Sequence, residues 1–174
     1  MIIQLKTPIL IGFAFTLYFA KSFGQTKIKD LKSMNIDKDR ILNEVRPLAK
    51  NLIHYSETVQ VDSFLGCYAE TPDFVAVSAD GMIRNYKDFE KICKDYYERL
   101  REQKITSTHE IFNVLDDKTV VLCSSVNIDA FFNNGDVWKM ENYTVTSLFK
   151  KIGGVWKIIH SHESALPPQI IKSK

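Results

Sequence analysis

Apolar positions repeat at three and four residues from Ile41 to about Leu100, and at two residues from Ile105 onward. The chain therefore predicts helices first and strands afterwards. The first stripe is Ile41, Leu42, Val45, Leu48, Ala49, Leu52 and Ile53. Pro47 interrupts it and removes a backbone donor, so the helix is expected either to kink there or to begin in earnest near Arg46. A second helix is predicted from Val59 to Tyr68, with Thr58 as its cap and Val61, Phe64, Leu65 and Tyr68 turned inward. Pro72 ends that spacing, and Asp73 to Ala79 reads as a strand closed by the turn pair Asp80-Gly81. The third helix has Asn85 as its cap with Asp88 three residues on, and Tyr86, Phe89, Ile92, Cys93, Tyr96 and Leu100 on its apolar side. Lys87, Glu90, Lys91, Lys94, Glu98 and Arg101 form its solvated face.

Strands are predicted over Ile105 to Leu115, Val120 to Phe132 and Trp138 to Lys151, each closed by Asp, Asn or Gly. The last strand runs from Val155 until Pro167-Pro168 stops it, and the tail 169–174 is expected to be loose. Helices followed by strands on short turns indicate an α+β domain, with helices on one face of a mostly antiparallel sheet.

On strict alternation the last strand places Trp156, Ile158, His160, His162 and Ser164 on one face, with Lys157, Ser161 and Glu163 on the other. The first face starts as core and ends in two imidazoles and a hydroxyl, a gradient expected where a sheet passes from a packed interior to a pocket mouth. His160 and His162 can thus converge on a ligand or a proton, or simply close the end of the fold with hydrogen bonds. Two histidines make half a metal site, and no third ligand is placed, so no metal is expected. His109 has both a surface and a pocket reading, the surface one being favoured, and His54 reads as a solvated or capping residue near the end of the first helix.

The N-terminus changes the picture of location. Lys6, an apolar run from Pro8 to Ala20, and Ser22 and Gly24 before Gln25 have the order of a secretory signal peptide over 1–24. A leader over 25–37 and one domain over 38–168 follow, and the mature protein is expected to be secreted or periplasmic, with no membrane attachment after cleavage. Lys6 and Lys21 lie in the signal, so the 23 basic and 21 acidic side chains become equal in number once it is removed. That balance provides no basic footprint for nucleic acid. Cys67, Cys93 and Cys123 sit among apolar neighbours without the paired spacing of a zinc site and read as buried thiols.

The segment Phe64-Leu65-Gly66-Cys67-Tyr68-Ala69-Glu70-Thr71-Pro72-Asp73-Phe74, the Asp80-Gly81 turn and the closing run Gly154-Val155-Trp156-Lys157-Ile158-Ile159-His160-Ser161-His162-Glu163-Ser164 resemble the NTF2-like superfamily, in its SnoaL-like and DUF4440-like branches. The closing run is also similar to the calcium/calmodulin-dependent kinase association domain. The resemblance spans about residues 38 to 167. It implies a cone, a curved mostly antiparallel sheet packed on three N-terminal helices, with a pocket inside and a homodimer formed through the outer sheet face. It also implies a carboxylate, or a carboxylate with histidine, as base, and a tyrosine or protonated acid as oxyanion donor. Candidates for the base are His160, His162 and Asp129.

Tyr143, Val145, Ser147 and Phe149 share a face of the preceding strand. The kinase-domain resemblance turns that face into the pocket and puts Ser147 where that domain has an arginine, which argues against the same type of anionic ligand. Trp138, Met140 and Tyr68 read as core or pocket wall. The expected ligand-binding set is Tyr68, Tyr143, Ser147, His160 and His162, around a mostly apolar pocket for a small organic molecule and without a cofactor. Two alternatives stand beside that reading. One is an isomerase or cyclase like the SnoaL enzymes, with His or Asp as general base and Tyr143 or Tyr68 stabilising the oxyanion. The other is a non-catalytic dimerisation or assembly module with a filled pocket.

Overall fold

The computed structural model describes residues 36–173, within a unit running from Asn35 to Lys174. The predicted signal peptide and most of the predicted leader lie outside the described residues. Helix α1 spans Lys38–Glu57, and the Asp37 side chain accepts the Arg40 N–H at 3.0 Å to cap it. The helix runs through Pro47 without restarting at Arg46. Proline deletes one hydrogen bond on an exposed position, whereas Ile41 and Val45 before it and Ala49 after it are all buried, so packing on both sides holds the helix together.

The second helix is shorter than its pattern predicts: α2 is only Val61–Leu65. Val59 has a positive φ of 58°, and the Thr58 hydroxyl donates to His54 O at 2.6 Å. Thr58 thus closes α1 instead of opening α2. Past Gly66 the chain turns, and Tyr68 forms a parallel bridge to Ile158. Strands β1 (Val75–Val77) and β2 (Ile83–Arg84) then flank the Asp80-Gly81 turn, where Gly81 takes a φ of 80° that a β-carbon would strain. Helix α3 covers Tyr86–Arg99, with Asn85 Oδ1 accepting from Asp88 N at 2.9 Å as its pattern predicts.

Four long strands follow: β3 (Leu100–Asp116), β4 (Thr119–Phe132), β5 (Val137–Ile152) and β6 (Val155–Ser164). The sheet order is β2-β1-β6-β5-β4-β3, antiparallel except for β1 on β6. This is the α+β cone, with an open, curved sheet wrapped on helices. The tail is not loose throughout. Gln169–Ile171 forms β7 against the start of β5, and Lys172 Nζ donates to Asp136 Oδ2 at 2.8 Å. That hydrogen bond lowers the Asp136 pKa.

Inner-face side chains make the core. Phe74, Phe149, Ile41 and Ile158 are fully buried, and Tyr68 packs against Phe64, Phe74 and Phe89. Cys67 and Cys93 are buried, Cys123 is half-buried, and all three are free thiols.

An irregularity in β6 decides what the inner face carries. Leu148 pairs with His160, but the next residue, Phe149, pairs with Ile158, so Ile159 is an extra residue in β6. Such a bulge reverses the alternation beyond it. Trp156 and Ile158 face inward before the bulge; Ser161 and Glu163 face inward after it. The shared face expected for Trp156, His160 and His162 is therefore broken. His160 is half-buried and His162 exposed, and both belong to the outer side of the sheet.

Candidate functional site

Between the helices and the sheet lies a cavity of about 410 Å³. Its helix side is made by Leu52, Ile53 and Ser56 of α1, Phe64 of α2, and Phe89, Ile92, Cys93, Tyr96 and Tyr97 of α3. Its sheet side is made by inward residues of β3, β4, β5 and β6, including Val126, Ile128, Trp138, Met140, Tyr143, Val145, Ser147 and Glu163. The wall is mainly aliphatic and aromatic, and among the described residues none of its side chains is cationic.

Glu163 is the polar group that stands out. Burial pushes its carboxyl pKa up, opposed by the Tyr143 hydroxyl and the Ala79 N–H that face it, and more weakly by the positive charge of Arg84. Tyr143 is raised as well, first by burial and then by the neighbouring Glu163 charge. Tyr68 is also raised by burial. Among the described residues, buried Ser78 Oγ has no hydrogen-bond partner. Asp80 and Arg84 sit beside this group as a two-pronged ion pair, with Arg84 Nη1 and Nη2 on the Asp80 carboxylate at 2.9 and 2.5 Å. The Arg84 hydrogen bond holds the Asp80 pKa down at about 2. Arg84 is thereby neutralised by its own turn and leaves Glu163 without a direct cationic partner.

The other polar group of the cavity comes from the helix side. Tyr96 donates to Gln103 Oε1 at 3.2 Å, Gln103 Nε2 donates to Ser56 Oγ and Ser56 O, and Ser56 Oγ lies 2.7 Å from the Tyr97 hydroxyl.

Of the residues expected to bind a ligand, Tyr68, Tyr143 and Ser147 line the cavity together. His160 and His162 do not, because the Ile159 bulge turns them outward. Asp129 also faces away. It pairs across the strand with Lys139, whose Nζ is 3.7 Å from its carboxylate, while Ile128 and Ala130 on either side point inward and are buried. His109 is exposed on the outer side of β3 and His54 is exposed on α1. Glu163, Gln103, Ser56 and Tyr97 escaped the sequence reading. For Glu163 a signal existed: the adjacent pair Ile158-Ile159 breaks strict alternation, which is the mark of an irregular strand. Among the described residues, no group of three His, Cys, Asp or Glu side chains could hold a metal ion.

A helix-packed open sheet around a mostly apolar cavity, with a half-buried acid in its wall, is the NTF2-like architecture. The SnoaL-like domain profile matches residues 45–168, and the chain belongs to that family. Similar solved structures include a scytalone dehydratase-like protein of Novosphingobium aromaticivorans, at 8% identity over 79% of this chain and 91% of that one, with a TM-score of 0.66. An NTF2-like protein of Salmonella enterica serovar Typhimurium shares 13% identity over 79% and 94% of the two chains, with a TM-score of 0.63. A calcium/calmodulin-dependent protein kinase II association domain-like protein of Xanthomonas campestris shares 22% identity over 71% and 86%, with a TM-score of 0.60. At these identities the likeness is one of fold. A search of curated proteins finds no match.

Proposed function

We propose that this domain binds a small, neutral, largely apolar carbonyl compound in its cavity, and that Glu163 exchanges a proton with the carbon next to the carbonyl. One observation carries the reading: Glu163 is a half-buried carboxyl in the wall of an open, mostly apolar cavity, with its pKa raised and with Tyr143 and Tyr68 lining the same cavity. A base in that setting is closer to the affinity of a carbon acid than a solvated carboxylate is. Tyr143 and Tyr68 remain protonated at neutral pH and can donate to the enolate oxygen as charge develops on it. The proton taken up by Glu163 returns to the same or an adjacent carbon, which gives exchange or isomerisation, or charge leaves with a departing group, which gives elimination.

Glu163 replaces the candidates His160, His162 and Asp129, whose side chains are turned away from the cavity. A dehydratase-like protein among the structural neighbours fits this class of chemistry by fold alone. The open cavity also favours a ligand site over a filled assembly module. Export of the mature chain and pairing of two copies through the outer sheet face, where Ile111 and Leu115 are exposed, belong to the same proposal.

The test uses 2-tetralone in deuterated water, with loss of its α-proton signals followed by nuclear magnetic resonance. The protein is expected to accelerate exchange, and Glu163→Gln to slow the protein-dependent rate by roughly 100-fold or more. Binding of 2-tetralone with an exchange rate indifferent to Glu163→Gln would leave a binding protein without this chemistry.

A further inference from the structure

The polar groups on the helix side of the cavity can be counted hydrogen by hydrogen. Gln103 Nε2 lies 3.0 Å from Ser56 O and 2.5 Å from Ser56 Oγ. A carbonyl oxygen can only accept, so the amide nitrogen must face it, and both amide hydrogens are used on Ser56. At the other end Gln103 Oε1 accepts from Tyr96, which fixes the amide's orientation independently. Ser56 Oγ and the Tyr97 hydroxyl are 2.7 Å apart, a contact that needs one hydrogen. The two hydroxyls bring two. Neither has another acceptor within hydrogen-bond distance among the described residues, so one hydrogen of the pair is left over whichever way the contact is polarised.

Both residues line the cavity while being less than a tenth exposed to solvent, at 8% for Ser56 and 6% for Tyr97. They come from α1 and α3, whereas Glu163 and Tyr143 come from β6 and β5. The cavity thus has polar groups on both its helix side and its sheet side, separated by aromatic and aliphatic wall.

We propose that the Ser56–Tyr97 hydroxyl pair, oriented by Gln103, determines ligand specificity by donating its spare hydrogen to a neutral acceptor oxygen, such as that of a ketone or ether. A neutral acceptor is selected because the pair offers one hydrogen and no positive charge, and among the described residues no cationic side chain lines the cavity. A ligand matched in shape but lacking the acceptor leaves that hydrogen buried and unused, and is discriminated against for that reason. The proposal rests on the reading of the cavity as a ligand site.

The test compares 2-acetylnaphthalene with 2-isopropenylnaphthalene, in which a methylene replaces the carbonyl oxygen, using tryptophan fluorescence and calorimetry for binding. The Tyr68→Phe/Tyr143→Phe protein is used throughout at alkaline pH, so that neither the sheet-side phenols nor a protonated Glu163 can supply the donor. The ketone is expected to bind roughly 3- to 10-fold more tightly than the alkene. Tyr97→Phe alone leaves the Ser56 hydroxyl hydrogen and should retain part of that preference. Ser56→Ala frees a Gln103 amide hydrogen, and loss of Gln103 frees the Tyr96 hydroxyl hydrogen, so Ser56→Ala, Tyr97→Phe, Gln103→Leu and Tyr96→Phe are added together and should abolish it. Equal binding of the two probes before those changes, or a preference that survives the combined changes, would overturn the proposal while leaving the ligand cavity intact. Failure of both probes to bind even the unmodified protein would instead strike at the cavity reading. Should the combined variant not fold, the carbonyl stretching frequency of the ketone bound to the Tyr68→Phe/Tyr143→Phe protein decides: a shift below its value in hexane supports the contact, and an unshifted band overturns it.

Discussion

Glu44 and Glu163 are both glutamates of the same domain, yet their surroundings treat the charge in opposite ways. Glu44, on α1, accepts Trp156 Nε1 at 2.8 Å and Lys151 Nζ at 2.5 Å on one oxygen, and Arg40 Nη1 at 2.8 Å on the other. The hydrogen bonds from Lys151 and Trp156 bring its pKa down to about 2. Glu163 has Tyr143 and one backbone amide against the cost of burial, and its pKa rises. Solvent exposure and a full set of donors make the ion the resting state of Glu44; their scarcity at Glu163 favours the neutral acid. The two lie at opposite ends of β6, since Trp156 holds Glu44 before the bulge and Glu163 follows it. One strand thus supplies a structural anchor at one end and a candidate base at the other.

The largest expected effect tests the anchor. Trp156→Ala removes a buried indole and leaves Glu44 with one donor fewer, and is expected to cost roughly 3–5 kcal/mol. Urea unfolding would measure it; a loss under about 1 kcal/mol would mean that this end of the strand does not hold the core.

The next effect should have the opposite sign. A carboxyl whose folded pKa is raised binds its proton more tightly in the folded chain. Below the ordinary carboxylate value, near ~4.3, it contributes nothing to the pH dependence, and across the window up to its folded value stability falls as pH rises. Glu163→Gln removes that buried charge and is expected to stabilise the protein by about 1 kcal/mol or more at neutral pH, with the advantage disappearing as pH drops below ~4. Melting curves across pH would show it, and a destabilised Glu163→Gln at neutral pH would argue for a structural carboxylate like Glu44. Glu44 gives the reverse dependence, its contribution being full above the ordinary carboxylate value and lost as pH falls toward about 2.

The smallest effect concerns the histidines on the outer side. His160→Ala and His162→Ala are expected to change stability by no more than about 0.5 kcal/mol each and to leave 2-tetralone exchange unaltered. A loss of exchange in either variant would restore the imidazoles to the site and displace Glu163 from it.

Periodicity along the chain was enough for the α+β class and for the order of the three helices and the four long strands, because helical and strand spacings are local and the turn residues Asp80-Gly81 and Gly153-Gly154 punctuate them. The cone followed from the resemblance of the stretches around Phe64–Phe74 and Gly154–Ser164 to the NTF2-like superfamily. Tyr68 was placed inward by helical spacing, and Tyr143 and Ser147 were placed on one face by alternation and turned into the pocket by the kinase-domain resemblance; all three line the cavity. What lay out of reach depended on pairing between distant residues. Thr58 is an equally good cap for a helix on either side, and only the packed chain makes it close α1. The face of Asp129 was settled by its registration against Lys139. Above all, Ile159 became the extra residue of β6 only when β5 came alongside, so the choice between two imidazoles and one carboxylate facing the cavity was made by strand register. Period-two alternation carries a side chain's direction only as far as the next bulge, and a bulge is a property of two strands together.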